Sequence, residues 1–420
     1  MTLPLEGIVV VSVEQAVAAP FASRQLADLG ARVIKIERPG SGDFARDYDH
    51  AVNGLSAHFV WLNRSKESLA VDLKDPAGRR VIHRLVDRAD VFVQNLAPGA
   101  ADRLGLGADE LRSTRPRLIT CDVSGYGDGG PYRQRRAYDL LIQSEVGLLS
   151  VTGSPDAPAR AGISVADIAA GMYAFSGVLS ALYERERTGV GRRVHVSLFD
   201  SLAEWMGFPF YYGRYGPTPL PRAGAAHAGI APYGPFRTGD GGTVVMAVQN
   251  DREWVRFTEV VLGEPALATD PRYATNSARV THRSVLGERI EERFADLTTD
   301  ATEDLLEAAR IGHARMNDVN NLDSHPQVVG RGRLRQIDSP VGPLCALEPP
   351  TTDGHRPALM GPVPTVGEHG RAVLRWVGYS VEEIESLVRD GVVDCAPEPP
   401  AGGVPGLPGE APGELDGGSR

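Results

Sequence analysis

The sequence predicts an α/β fold: a large parallel-sheet domain built from both chain ends, with a smaller α/β domain inserted between them. Three observations carry this. Short β-branched runs alternate with helix-length segments through the first 125 residues, an order that gives parallel strands joined by crossover helices. A Gly-, Pro- and Ala-rich stretch near 215–240 interrupts the alternation and marks a linker. A final helical segment, "SVEEIESLVRDGVV" (380–393), then returns to the pattern of the first domain.

The elements follow in order. "GIVVVSV" (7–13) is a first strand, and "PFASRQLADLG" (20–30) has helical spacing closed by a glycine. "ARVIKIE" (31–37) is the next strand; "PAGRRVIHRLVDRA" (76–89) is a helix, and "DVFVQN" (90–95) and "RLITCDVS" (117–124) are strands. A long helix spans about 168–187, and "GRRVHVSLFDSL" (191–202) is a strand opening into a helix. "TVVMAV" (243–248) and helical stretches 285–295 and 301–310 belong to the smaller domain. Ser380 and Glu383 are spaced as a capping box. The expected organisation is a large Rossmann-like domain over 1–215, a linker and active-site loop over 216–240, a small domain over 241–329, a return to the large domain over 330–395, and a disordered tail over 396–420.

A chain of 420 residues, 42% of them hydrophobic, buries a large core. Its net charge of −10 argues against a nucleic-acid partner held by phosphate contacts. Cys121, Cys345 and Cys395 lie far apart, make no metal-ligand spacing and read as reduced thiols. "MTLPLEGIVVVSV" lacks the features of a signal peptide, and no apolar run is expected to reach the length of a membrane span. A soluble, cytoplasmic protein is expected.

Ligands of parallel sheets bind beyond the carboxyl ends of the strands. The polar clusters "RPGSGD" (38–43), "NLAPG" (95–99) and "SGYGDGGPY" (124–132) fall there. Arg38, Lys66, Lys74 and Arg103 sit at or near predicted strand ends or in the following loops, each a solvated surface charge taken singly, but together suited to a polyphosphate. No G-x-G-x-x-G follows the first strand, where "VEQAVAAPF" stands, and there is no G-x-x-x-x-G-K-[ST]. The ten histidines form no ligand spacing, so no metal site is expected. "VSGYG" is not G-x-S-x-G, which disfavours a serine triad.

One acid stands out. In "AGISVADIAAGMYAF" (161–175), Asp167 heads an apolar run. Ser164 and Asp167 have capping-box spacing, so a structural cap is one reading. Ile168, Met172, Phe175, Leu179 and Leu182 are expected to form the core face of the helix. Asp167 would share a small-residue stripe with Gly171, Ala174, Val178 and Ala181, open to a neighbouring helix or a ligand. A carboxylate held ionised at a helix N-terminus also suits attack on an acyl carbon. The residues alone leave cap and nucleophile both open.

Longer motifs decide more. "LGARVIKIERPGSGD" (29–43), "LNRSKESLAVDLKDPAG" (62–78), "VQNLAPGAADRLGL" (93–106), "VSGYGDGGPY" (123–132) and "ADIAAGMYAFSGVLSALYERERTGVGRRVHVSLFD" (166–200) resemble the family III CoA-transferases, the group that includes formyl-CoA transferase and carnitine CoA-transferase. The resemblance runs from about residue 3 to about 393. It implies that Asp167, in "ADIAAG", is a nucleophile forming an acyl anhydride and then a CoA thioester. It implies CoA contacts at Arg38, Lys74, Asn95, Arg103 and Lys66, and a pocket containing Arg136 and Tyr138. It implies acyl-CoA and carboxylic acid substrates, no permanently bound cofactor, and a homodimer of interlocked chains.

Two departures bear on the acceptor. Val17 stands where formyl-CoA transferase has Gln, with Gln15 two residues earlier, so the pocket is not expected to be that of an oxalate enzyme. "RAGAAHAGIAPYGPF" (222–236) replaces a run of consecutive glycines. It looks more like relatives that handle C4–C6 dicarboxylates, such as succinate, mesaconate, itaconate, citramalate or malate. Arg222 or His227 would then approach the second carboxylate or else pack the loop. The same fold hosts α-methylacyl-CoA racemases, whose "GHD" reads "AYD" here; Tyr138 replaces the base, and a phenol of ordinary pKa about 10 serves poorly. A non-catalytic acyl-CoA-binding relative is the third reading.

Overall fold

A computed structural model describes residues 3–352 and 358–396. The expected tail therefore lies, from residue 397, outside the described residues. The central feature is a seven-stranded sheet. Its strands are β1 (Val9–Val13), β2 (Arg32–Glu37), β3 (Lys66–Val71), β4 (Val91–Gln94), β5 (Ile119–Ser124), β6 (Arg193–Ser197) and β12 (Val393–Asp394). They run in the order β12-β3-β2-β1-β4-β5-β6. All neighbours are parallel except β12, which pairs antiparallel with β3 and brings the C-terminal segment onto the sheet edge. The order β3-β2-β1-β4-β5-β6 is the doubly wound arrangement, and its switch point lies between β1 and β4.

The strands are buried on both faces, which is why they read as continuous apolar runs. One face packs against the first helix (Ala18–Asp28) and the long helix (Val165–Thr188). The other carries the helices Pro76–Val86, Gly370–Trp376 and Val381–Arg389, through residues such as Leu85, Leu374 and Ile384. Both chain ends thus build the large unit. The capping box of Ser380 and Glu383 is formed in both directions.

A second unit has its own antiparallel sheet of β7 (Tyr233–Arg237), β8 (Thr243–Ala247) and β9 (Gly312–Arg315). Its separate core contains Phe236, Met246, Trp254, Phe257, Ile290 and Phe294. The stretch 216–240 is therefore not linker throughout: Tyr233–Arg237 is a strand, made by alternating burial in "YGPFR". A hairpin, β10 (Leu334–Ile337) and β11 (Leu344–Leu347), leads back to the large unit.

The long helix departs from the expected polarity. Its buried face is the small-residue stripe, Ala166, Ala170, Ala174, Val178 and Ala181, whereas Met172 is exposed and Ile168, Phe175 and Leu179 are half-buried; of the expected large face only Leu182 is buried. Close packing explains the reversal. A Cβ on Gly171 would meet the Ala18 carbonyl oxygen at 2.7 Å and the Phe21 ring at 2.9 Å, so the two helices touch backbone to backbone. Size, not hydrophobicity alone, selects the face. This helix is also long and apolar enough to cross a membrane, contrary to the sequence expectation. Its packing on the sheet and first helix makes it a core helix of the fold.

Candidate active site

A cleft of about 1400 Å³ opens at the switch point, beyond the carboxyl ends of β1, β4 and β5. Its size exceeds that of ordinary small-molecule pockets and suits an extended ligand. The β1 turn (Gln15–Ala18), the β4 loop (Gln94–Gly99) and the start of the long helix all contribute to it, and Gln15, Val17, Asn95, Tyr138 and Asp167 are among the residues that line it.

The β1 turn is held from below. Ala16 adopts a left-handed backbone (φ 62°), a strained conformation for a residue with a side chain. Its N–H donates to Asp43 Oδ1 at 3.2 Å, and the Gln15 N–H donates to Asn95 Oδ1 at 2.9 Å. Asn95 Nδ2 returns a bond to the Gln15 carbonyl at 2.8 Å. Asn95 therefore fixes the turn with both ends of its amide.

Beneath the turn lies a buried ionic cluster. Lys66 Nζ donates to Glu14 Oε1 at 2.6 Å, Asn63 Oδ1 at 3.1 Å and the Pro20 carbonyl at 3.1 Å. Lys35 Nζ donates to Asp43 Oδ2 at 2.8 Å. Burial alone would push the Glu14 carboxyl up, but Lys66 and Lys35 outweigh it and hold the group well below the usual carboxylate range. Burial and Lys35 push Lys66 the other way, down. We take the pair as ionised, because Glu14 also accepts from the Ser12 and Ser23 hydroxyls. The expected CoA contact at Lys66 is corrected accordingly: its side chain is fully buried and serves the core.

Asp167 is the third residue of the long helix, half-buried in the cleft wall. The expected local capping box is absent, since the Ser164 side chain makes no cap bond. The cap comes instead from Asp139, whose Oδ1 accepts from the Ala166 N–H at 2.8 Å. Asp139 Oδ2 accepts from Gln143 Nε2 at 2.6 Å, and Gln143 Oε1 accepts from the Ala161 N–H at 2.9 Å. This relay pins the approach to the helix on both sides of Ser164. The expectation of a carboxyl held ionised by the helix end also needs correction. Burial, and then the neighbouring Asp139, push Asp167 up to about 7. A carboxyl shifted this far by burial and a like charge, in a cleft, marks a candidate functional residue.

Sequence reasoning missed Tyr48 and Arg160. Tyr48 lines the cleft, and its phenol is pushed up to about 12 by burial, with Asp43, Asp167 and Tyr138 adding to the effect. Its nearness to Asp167 comes from the short helical turn Phe44–Asp47 capped by Asp43, whose "GSGD" signal was legible. Arg160 lines the same cleft as Ser164 and Asp167.

The remaining expected residues fall in different places. Arg136 and Tyr138 line the cleft and are exposed to it. Arg38 and Lys74 are exposed beyond the ends of β2 and β3, on the same sheet edge but outside the cleft wall. Arg103 stands at the rim, near Gly99. Arg222 and His227 are not among the residues lining the cleft of Asp167. The Arg222 guanidinium donates to the Ser154 and Pro155 carbonyls at 2.9 and 2.8 Å, and the His227 ring stacks on Tyr233 at 5.3 Å. Both pack loops, one of the two alternatives the sequence left open. No group of three or more His, Cys, Asp or Glu among the described residues is arranged to hold a metal ion.

Comparison with known proteins places this geometry. The model of CoA-transferase family III matches residues 5–370. The mouse protein named succinyl-CoA:glutarate CoA-transferase is 34% identical over 398 residues, covering 93% of this chain and 90% of its own. The Chloroflexus aurantiacus protein named succinyl-CoA–D-citramalate CoA-transferase is 31% identical over 402 residues, covering 93% and 98%. A crystal structure of a CaiB/BaiF family protein from Brucella suis superposes with a TM-score of 0.78 at 34% identity, covering 90% of this chain and all of that one.

Proposed function

The chain belongs to CoA-transferase family III and is an acyl-CoA:carboxylate CoA-transferase; on that premise we propose that Asp167 is its covalent nucleophile and that its substrates are short dicarboxylic acids and their CoA thioesters. The observation that carries the reading is the desolvated carboxyl of Asp167 in the wall of a cleft large enough for a CoA thioester. The names of the glutarate and citramalate relatives support the dicarboxylate part.

The chemistry balances without an outside reagent. The ionised Asp167 carboxylate attacks the thioester carbonyl carbon; the carbon–sulfur bond breaks and CoA leaves as thiolate, giving an aspartyl-acyl anhydride. The thiolate attacks the aspartyl carbonyl of that anhydride, releasing the first acid and forming an aspartyl-CoA thioester. The acceptor carboxylate attacks this thioester, a second anhydride forms, and the thiolate takes the new acyl group and frees Asp167. Burial suits each step, because a poorly solvated carboxylate is a stronger nucleophile and a dry cleft protects the anhydride from water. Arg38, Lys74 and Arg103 at the sheet edge and rim are the proposed partners of the CoA phosphates, and Asn95 acts by fixing the β1 turn. The racemase reading draws no support from the site: a phenol stands at position 138, and the neighbouring Tyr48 is pushed away from neutrality.

We also propose a homodimer. Tyr173, Trp205, Phe208, Phe210, Tyr211 and Tyr215 are exposed on the long helix and the two helices that follow β6, an apolar area that a second copy would cover. A monomeric mass in solution at micromolar concentration would exclude it.

The decisive experiment is intact-protein mass spectrometry after mixing with succinyl-CoA, with hydroxylamine or borohydride as trap and Asp167→Ala as control. An adduct or reduced carboxyl mapping to Asp167 is expected. Its absence with succinyl-CoA and with other acyl-CoAs removes the covalent mechanism.

A further inference from the structure

Several arginines line the cleft, and their partners differ. Arg135 pairs with Glu145 at 3.7 Å and lies over the Tyr132 ring at 3.6 Å. Arg136 and Arg160 face the cleft and have no ion-pair partner among the described residues. Arg160 makes one long bond from its guanidinium, to the Ala161 carbonyl at 3.4 Å.

The backbone that carries Arg160 is nonetheless fixed. The Ala159 N–H donates to the Thr152 carbonyl at 2.9 Å and the Ala161 N–H donates to Gln143, so the residues on either side are anchored. The loop at 153–158 closes on itself through a bridge between Gly153 and Pro158 and is clasped from outside by Arg222. A hydrogen-bonded backbone bearing an exposed guanidinium with no ion-pair partner among the described residues, on the cleft that Asp167 also lines, is the arrangement of a residue able to meet a charge on its ligand. That charge is not Asp167 itself: burial and Asp139 govern that carboxyl, and no guanidinium offsets them.

We propose that Arg160, assisted by Arg136, binds the far carboxylate of a dicarboxylic acyl group whose near carbonyl carbon lies at Asp167. The assignment rests on the transferase reading above and gives it a specificity element. Donor and acceptor pass through the same acyl site in turn, so one guanidinium reads both. It takes up the carboxylate contact that was one of two alternatives for Arg222 and His227; Arg222 acts at one remove, by holding the loop before Arg160.

The test is acylation of Asp167 by succinyl-CoA and by butyryl-CoA, which has the same chain length and no far carboxylate, followed as the trapped adduct. Wild type should favour succinyl-CoA. Arg160→Ala should cut that preference on the order of 10- to 100-fold, Arg160→Lys should restore part of it, and Arg136→Ala should cut it less. Equal losses for both thioesters in Arg160→Ala, or an unchanged preference, would overturn the assignment. If wild type forms no adduct with either thioester, the covalent reading fails first and this assignment falls with it.

Discussion

Replacing Asp167 by asparagine exchanges a carboxyl for an amide of the same shape, and the structure fixes the sign of the effect on stability as well as on turnover. Burial, and then Asp139, push Asp167 in the folded chain from an ordinary value of 3.8 up to about 7. Between these values the folded state holds a proton that the unfolded state has released. Stability therefore falls as pH rises through this window, by about 1.4 kcal/mol per unit, and the loss is complete above about pH 7. The full span corresponds to about 4 kcal/mol, an upper figure because Asp167 is half-buried and solvent screens part of it.

Asparagine carries no charge to desolvate and feels no repulsion from Asp139. Asp167→Asn should therefore be more stable than the parent by about 2–4 kcal/mol at pH 8.5, and by less than half of that at pH 5. Urea unfolding of both proteins without ligand at the two pH values measures the difference directly. The same variant should lose turnover on the order of 1000-fold or more. A variant less stable than the parent at pH 8.5, or a gain that does not change with pH, would refute the account of Asp167 as a destabilised acid.

Other outcomes follow from the same contacts. Acylation by an acyl-CoA should rise about tenfold per pH unit below about 7 and level off above it, since only the ionised Asp167 attacks; Asp139→Asn, which keeps an acceptor for the Ala166 N–H but removes a charge, should move that midpoint down. Gly171→Ala should destabilise the fold by about 1–3 kcal/mol, because its methyl has no room against the Ala18 carbonyl; thermal melting would show this, and an unchanged midpoint would mean that the helices part easily. Glu14→Gln leaves Lys66 and Lys35 without their shared carboxylate and should cost about 3–5 kcal/mol in urea unfolding at pH 7.

The frame of this protein was legible because its signals are local. "GIVVVSV" and "ARVIKIE" announce strands buried on both faces, and Ser380 with Glu383 announces a helix start, each from neighbouring residues. The position of the candidate site was legible from the polar clusters after β4 and β5, and its candidate nucleophile only from a family motif at Asp167. Its physical state was not, because the groups that set it are distant in sequence. Asp139 caps the long helix from 27 residues before Ala166, displacing Ser164, and Lys66 finds Glu14 52 residues upstream. A lysine beyond a strand end and a lysine inside an ion pair look alike in the sequence. The helix face was misjudged for a related reason: large apolar residues usually mark the core, but here the partner is another helix at backbone contact, and only small residues fit.

That contact also bears on why the proposed nucleophile and the proposed specificity residues occupy separate parts of the chain. The Gly171–Ala18 approach ties together two helices whose N-terminal ends both open into the cleft, one at Val17 and Ala18 and the other at Asp167. Whatever fixes their packing fixes the distance between the β1 turn and the attacking carboxyl, and the buried cluster of Glu14, Lys35, Lys66 and Asp43 braces that turn from below. Residues in this frame cannot change without moving the reacting atoms. Arg136 and Arg160 lie on loops outside it, so their side chains can be exchanged while Asp167 stays where it is. The proposed mechanism, in which donor and acceptor acids pass in turn through one covalent site, needs this division: a rigid centre common to both, and a rim that reads the far end of each.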